Sequence, residues 1–206
     1  MGAAEDQGLP LRCPGVGAVV GPAHGLRLRA RSASSFRSRS YSSSGLRKRS
    51  SKSSVVIDLR ERARKNADAL VTIDDLKRWE KAHGRLPRQC GVFLNSGWDA
   101  KAGDARAFLG QDDSKTLHFP GFSKEAGEFL LQEREVAGLA VDTLSLDFGA
   151  SKDFAVHKLW LGAGKWGLEC VANLSKLPPS GATVFVGAPK VSGASGGPTR
   201  VLAVWG

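Results

Sequence analysis

From Val55 onward, apolar and polar positions fall into blocks whose period switches between that of a strand and that of a helix. Val55-Val-Ile-Asp-Leu59 is a short β-branched run. Thr72 followed by Asp75 resembles a capping box, and Ile73, Leu76 and Trp79 then recur at helical spacing until Gly84 supplies a stop. Cys90-Gly-Val-Phe-Leu94 predicts a strand that leads into a Gly97-Trp98 loop. Pro120-Gly121 precedes Ser123, a good N-cap for a helix whose face carries Ala126, Phe129 and Leu130. Leu139 to Leu146 predicts the next strand, and Phe154 to Leu161 a short helix ended by Gly162. Leu168 to Val171, Thr183 to Val186 and Arg200 to Val204 then read as strands split by turns at Pro178-Pro179 and Ser192 to Pro198. The alternation predicts an α/β domain, less regular than a doubly wound one because it finishes in consecutive strands.

Composition divides the 206 residues in two. Up to Ser54 there are ten basic residues and two acidic ones, whereas from Val55 onward there are 20 basic and 18 acidic. The formal charge of +10 therefore belongs mostly to the head, and the body is near neutral. Between Arg27 and Lys52 there is no acidic residue and little apolar content, so this stretch is expected to be disordered. The domain boundaries drawn on this basis are 1–54 for a Ser/Arg-rich head and 55–206 for one α/β domain. The head is open to three explanations: a mitochondrial or plastid presequence, an RNA-contacting or phosphorylatable segment, or sequence with no function of its own.

Three cysteines, Cys13, Cys90 and Cys170, make neither a disulfide framework nor a zinc ribbon, and a reducing compartment, the cytoplasm, is expected. No run reaches the roughly 18 apolar residues of a membrane span. There is no Gly-rich phosphate loop, G-x-S-x-G elbow or H-E-x-x-H motif, so any chemistry must come from scattered residues. His24 lies in the head, His83 ends a helix where the dipole favours a cation, and His118 suits a partly buried, satisfied histidine. His157 differs, because it sits on a largely apolar helix and Glu169, twelve residues on, interrupts an apolar strand. A carboxylate in such a pattern needs a partner, and imidazole plus carboxylate is a ligand set for zinc or manganese. Lys158 and Lys165 are alternative partners for Glu169. Asp142 and Asp147 close the preceding strand, where they serve either catalysis or turn formation. The Gly193 to Arg200 turn and the five tryptophans are read as structural.

Taken together, the strings Val55-Val-Ile-Asp-Leu59, Ile73-Asp-Asp-Leu76, Asn95-Ser-Gly-Trp-Asp99, Phe119-Pro-Gly-Phe-Ser-Lys-Glu-Ala126, Gly138-Leu-Ala-Val-Asp-Thr-Leu-Ser-Leu-Asp147, His157, Glu169-Cys-Val-Ala-Asn-Leu174, Leu177-Pro-Pro179 and Gly196-Gly-Pro-Thr-Arg-Val201 resemble the cyclase or metal-dependent hydrolase family. That family includes bacterial-type kynurenine formamidase and isatin hydrolase. The resemblance runs from Val55 to Val204. It implies a swivelling β/β/α fold and hydrolysis of an amide-like bond in a small aromatic substrate at a one- or two-metal centre. It also implies that His157 and Glu169 are metal ligands for Zn or Mn, with no catalytic residue assigned. Such a metal lowers the pKa of bound water and polarises the substrate carbonyl.

The family's first ligands and its proton-transfer histidine lie in an H-x-G-T-H-x-D-x-P-x-H motif shortly before the segment that Val55 to Leu59 matches. Here that stretch is the Ser/Arg head, and no H-x-x-x-H-x-D occurs in the sequence. The domain is therefore expected to be incomplete at its N-terminal side, with apolar surface or a sheet edge left open. Two functions follow: an arylformamidase-type hydrolase acting in tryptophan catabolism, or an inactive fragment or isoform that assembles with full-length relatives. A homo-oligomer or such a hetero-assembly is expected, with neither membrane nor nucleic acid as a partner.

Overall fold

The computed structural model describes residues 26–33 as a backbone strand, together with residues 52–187 and 196–206. Nine strands and five α-helices occur among them, in the order β1 (Leu26–Ala33), β2 (Lys52–Asp58), α1 (Arg60–Lys65), β3 (Leu70–Val71), α2 (Ile73–His83), β4 (Gly91–Asn95), α3 (Ala105–Leu109), β5 (Gly121–Phe122), α4 (Lys124–Gln132), β6 (Gly138–Val141), α5 (Ala155–Gly162), β7 (Trp166–Leu168), β8 (Ser180–Gly187) and β9 (Gly197–Val204). Single 3-10 turns lie at Trp98–Lys101 and Leu174–Lys176.

Helix α2 starts where the sequence places it. Thr72 Oγ1 accepts from the Asp75 backbone N–H, and Asp75 Oδ2 accepts from the Thr72 N–H at 2.8 Å, closing the capping box. Gly84, at φ +85, ends the helix. Arg62 and Arg78 also donate to the buried Asp75 carboxylate, so its charge is paired and its pKa is lowered. Burial alone would raise that pKa; the hydrogen bonds outweigh it.

Seven strands form one sheet in the order β1-β9-β8-β2-β4-β6-β7. Strands β2, β4, β6 and β7 are parallel, in the registers Val55↔Val92, Val92↔Leu139 and Leu139↔Gly167. Strands β8, β9 and β1 add to β2 in antiparallel fashion. In sheet order β1 and β7 are the two ends, yet they approach one another, so the sheet curls into a half-barrel. The fold is thus the α/β, swivelling type expected from the sequence.

All five residues of β4 are buried, because both faces of the central strands are covered. On one face Val55, Ile57, Val92, Leu94, Leu139 and Val141 pack under helices α2, α4 and α5. On the other, Val56, Phe93, Ala140 and Leu168 meet Val184 from β8 and Val201 and Ala203 from β9. The Trp166 indole lies across this inner face, where a Cβ on Gly138 would fall inside its ring and one on Gly91 would come within 2.9 Å of Cη2.

Several boundaries differ from the sequence reading: β6 ends at Val141, not Leu146, and β8 and β9 each begin three residues earlier than expected. Strand β1 falls within the head that composition assigned to disorder; its Leu-Arg-Leu-Arg alternation has the period of a strand. The remainder of the disorder assignment, His24 and most of the Ser192 to Pro198 turn lie outside the described residues. Strand β7 ends at Leu168, not Val171, so Glu169 stands just past the strand rather than inside it.

Candidate metal-ligand site

The four parallel strands deliver their carboxyl ends to one edge of the sheet, where open α/β sheets place their ligand crevices. Asn95 ends β4 and Ser96 follows it, Asp142 to Asp147 follow β6, and Glu169 and Cys170 follow β7. At this edge Asp142 is a stitch. Its carboxylate accepts from Ser96 N–H at 2.9 Å, Ser96 Oγ at 2.6 Å and Trp98 N–H at 3.0 Å, fully buried. Burial pushes it up to about 7 in spite of these donors. Asp142 therefore anchors the loop after β4, which fits the turn-forming alternative of its sequence reading.

Asp147 has two tasks. Helix α5 opens at Phe154, which sits at φ +52 and offers no side-chain cap. Its exposed first amides need an acceptor from elsewhere. Asp147 provides it, accepting from Val156 N–H at 2.8 Å and His157 N–H at 3.1 Å. The same carboxylate meets the His157 ring, with Oδ2 2.6 Å from Nδ1. On the far side of the imidazole, Nε2 lies 3.0 Å from Glu169 Oε1. The ion-pair partner of Glu169 among the described residues is His157.

Asp147 and Glu169 are buried and His157 is half-buried, with side-chain exposures of 3 %, 8 % and 19 %. Burial alone would lower the His157 pKa, but two hydrogen-bonded carboxylates outweigh it and raise it to about 9. Asp147 moves the other way, since its three hydrogen bonds overcome the burial that would raise it. As an imidazolium, His157 donates from both nitrogens.

An imidazole nitrogen and a carboxylate oxygen facing each other at 3.0 Å are donor types that zinc or manganese accepts. A carboxylate on the remaining ring nitrogen is the usual support behind a metal-binding histidine, and Asp147 fills that position. The donor count does not suffice, however. Catalytic zinc takes three protein ligands, and no group of three donors able to hold an ion occurs among the described residues. Asp147, His157 and Glu169 thus supply one side of a site and do not by themselves make a metal centre.

The other titratable candidates have local duties. His83 stacks on Trp79, with ring centroids 4.9 Å apart. His118 is held between Asp68 at 2.7 Å and Asp112 at 3.3 Å, which raise its pKa and tie the loop before β5 to the turn before β3. Trp79, Trp98, Trp160 and Trp166 are buried, as a structural reading requires. Sequence reasoning missed the link from Asp147 to His157. The one hint in the sequence is that Phe154, at the helix start, has no side chain able to cap it, so an acceptor must come from elsewhere.

A curled mixed sheet with helices on one face and a carboxylate–imidazole–carboxylate row at its carboxyl edge defines an α/β protein of the swivelling β/β/α class. The chain belongs to the putative cyclase family, whose family model matches residues 35–148. It is 33% identical over 153 residues to isatin hydrolase of Roseibium aggregatum, an alignment covering 72% of this chain and 57% of that relative. The chain thus spans little more than half the length of this curated relative. Isatin hydrolase A from Ralstonia solanacearum superposes with a TM-score of 0.77 at 34% identity, over 85% of this chain and 71% of its own. An isatin hydrolase bound to the product analogue thioisatinate gives 0.76 at 30% identity, over 84% and 70%.

Proposed function

We propose that this chain contributes the His–Glu side of the hydrolytic site of its family, with His157 and Glu169 as ligands for zinc or manganese. The observation that carries this reading is the 3.0 Å approach of Nε2 to Oε1, with Asp147 behind the ring. The substrate class is a small aromatic amide or lactam, of the isatin or N-formylkynurenine kind. Likeness to isatin hydrolases, one solved with a product analogue, supports the lactam over the formamide.

In this role the chain's own residues have separate parts. Asp147 fixes the imidazole plane through Nδ1 and leaves Nε2 facing Glu169. Its bonds to the first amides of α5 tie that orientation to the helix itself. The test is hydrolysis of isatin and of N-formylkynurenine with added Zn or Mn, alongside titration of each metal. Turnover abolished by His157→Ala and by Glu169→Gln supports the reading. A chain that binds neither metal and turns over neither substrate sinks it.

A donor count of two among the described residues favours a second reading, in which the chain acts without catalysis as an assembly partner of full-length relatives. Co-elution with a full-length isatin hydrolase on size exclusion supports it. A strictly monomeric chain that captures no relative removes it.

A further inference from the structure

Phe154 is the most exposed large hydrophobic residue among those described, at 52 %, and it lies beside a buried site. Its backbone is left-handed, φ +52 and ψ +46, which is uncommon for a bulky side chain and is retained where surrounding structure or function requires it. The ring stands at 89° to the His157 imidazole with centroids 6.1 Å apart, an edge-to-face arrangement. With half of the ring exposed and one edge-to-face contact, packing rewards the strain only in part, and the open face of the ring is left without a partner among the described residues. Asn or Gly would take the same backbone at lower cost.

We infer that Phe154 is a specificity-determining residue, an aromatic face on which the fused benzene ring of the substrate stacks while its amide carbonyl is presented to the His157–Glu169 side. The inference rests on the hydrolase reading above and goes beyond it by naming the residue that selects aromatic over aliphatic amides. The left-handed start of α5 puts Phe154 three residues before His157, so one strained turn positions both the recognition ring and the imidazole.

The experiment compares binding of isatin and of pyrrolidine-2,3-dione, the same lactam without its benzo ring, by isothermal titration with Zn or Mn present, together with thermal unfolding. The variants are Phe154→Gly, Phe154→Leu and Phe154→Trp. Loss of an aromatic stacking partner weakens isatin binding about five- to tenfold in the Gly and Leu variants. Pyrrolidine-2,3-dione binding stays unchanged, and Phe154→Trp keeps isatin affinity. Phe154→Gly also raises the unfolding midpoint, because the left-handed strain is relieved. A lower midpoint for Phe154→Gly with isatin affinity intact makes the ring structural and overturns the inference. Equal isatin affinity in wild type and Phe154→Leu overturns it while leaving the hydrolase reading standing. If wild type binds neither lactam, the hydrolase reading fails and the inference falls with it.

Discussion

At the scale of single residues, the Asp147–His157–Glu169 row couples protonation to folding. The His157 pKa is about 9 in the folded chain against 6.5 when free, so the folded state holds its proton more tightly. The stability this contributes is complete below about pH 6.5, fades as pH rises, and is gone above about pH 9. Asp147, shifted down, adds stability that is present above about pH 4 and lost as pH falls through its folded value. Asp142, pushed up to about 7 mainly by burial, moves with His157. The informative quantity is therefore the difference between wild type and His157→Gln. Urea unfolding in buffers near pH 5.5, 7.5 and 9.5 should show a gap that is widest at the lowest pH and closes at the highest. A gap that is the same at all three shows that the imidazolium contributes nothing to folding.

At the scale of elements, tolerance to substitution follows how closely neighbouring strands approach. Gly138 and Gly91 leave a flat lane for the Trp166 indole, and a Cβ at Gly138 would fall within the ring. Gly138→Ala is expected to destabilise the chain by about 3 kcal/mol, as overpacking of a filled core does. Gly162→Ala, whose Cβ would meet nothing within 4 Å, should leave the unfolding midpoint unchanged or slightly higher. Equal effects of the two substitutions would show that the indole is free to shift aside. The same contrast between local and distant causes explains what was legible in the sequence. Helix α2 could be read because Thr72, Asp75 and Gly84 encode its start and stop within one short stretch. His157 and Glu169 stood out as polar residues in apolar surroundings, and they do face each other. Helices α1 and α3, six and five residues long, are too short to show a period. Strand β1 was hidden because a composition average over Arg27 to Lys52 outweighed an eight-residue alternation. The role of Asp147 was not read because it depends on a helix start eight residues on whose missing side-chain cap only the fold displays.

At the scale of the whole molecule, the inner core and the site share one segment. Directly after Glu169 the chain enters the inner core through Val171 and Leu174, which pack with Val184 of β8 and Val201 and Ala203 of β9. The amides of Cys170 and Val171 are bonded back to Thr143 and Val141, so the position of Glu169 depends on how firmly that core is held. Strand β9 is itself held on two sides, by β8 and by β1. Without β1, its backbone donors and acceptors become an open edge, the kind of edge that recruits another chain. A chain lacking residues 1–51 should self-associate on size exclusion and unfold at lower temperature. It should also exchange the Cys170 and Val171 amide protons faster than the full chain, while the capping-box amide of Asp75 in α2, on the other face of the sheet, keeps its rate. If the shortened chain stays monomeric with its midpoint and the Cys170 and Val171 rates unchanged, β1 does not brace the sheet. The position of Glu169 would then be fixed by the parallel strands and the helices packed on them.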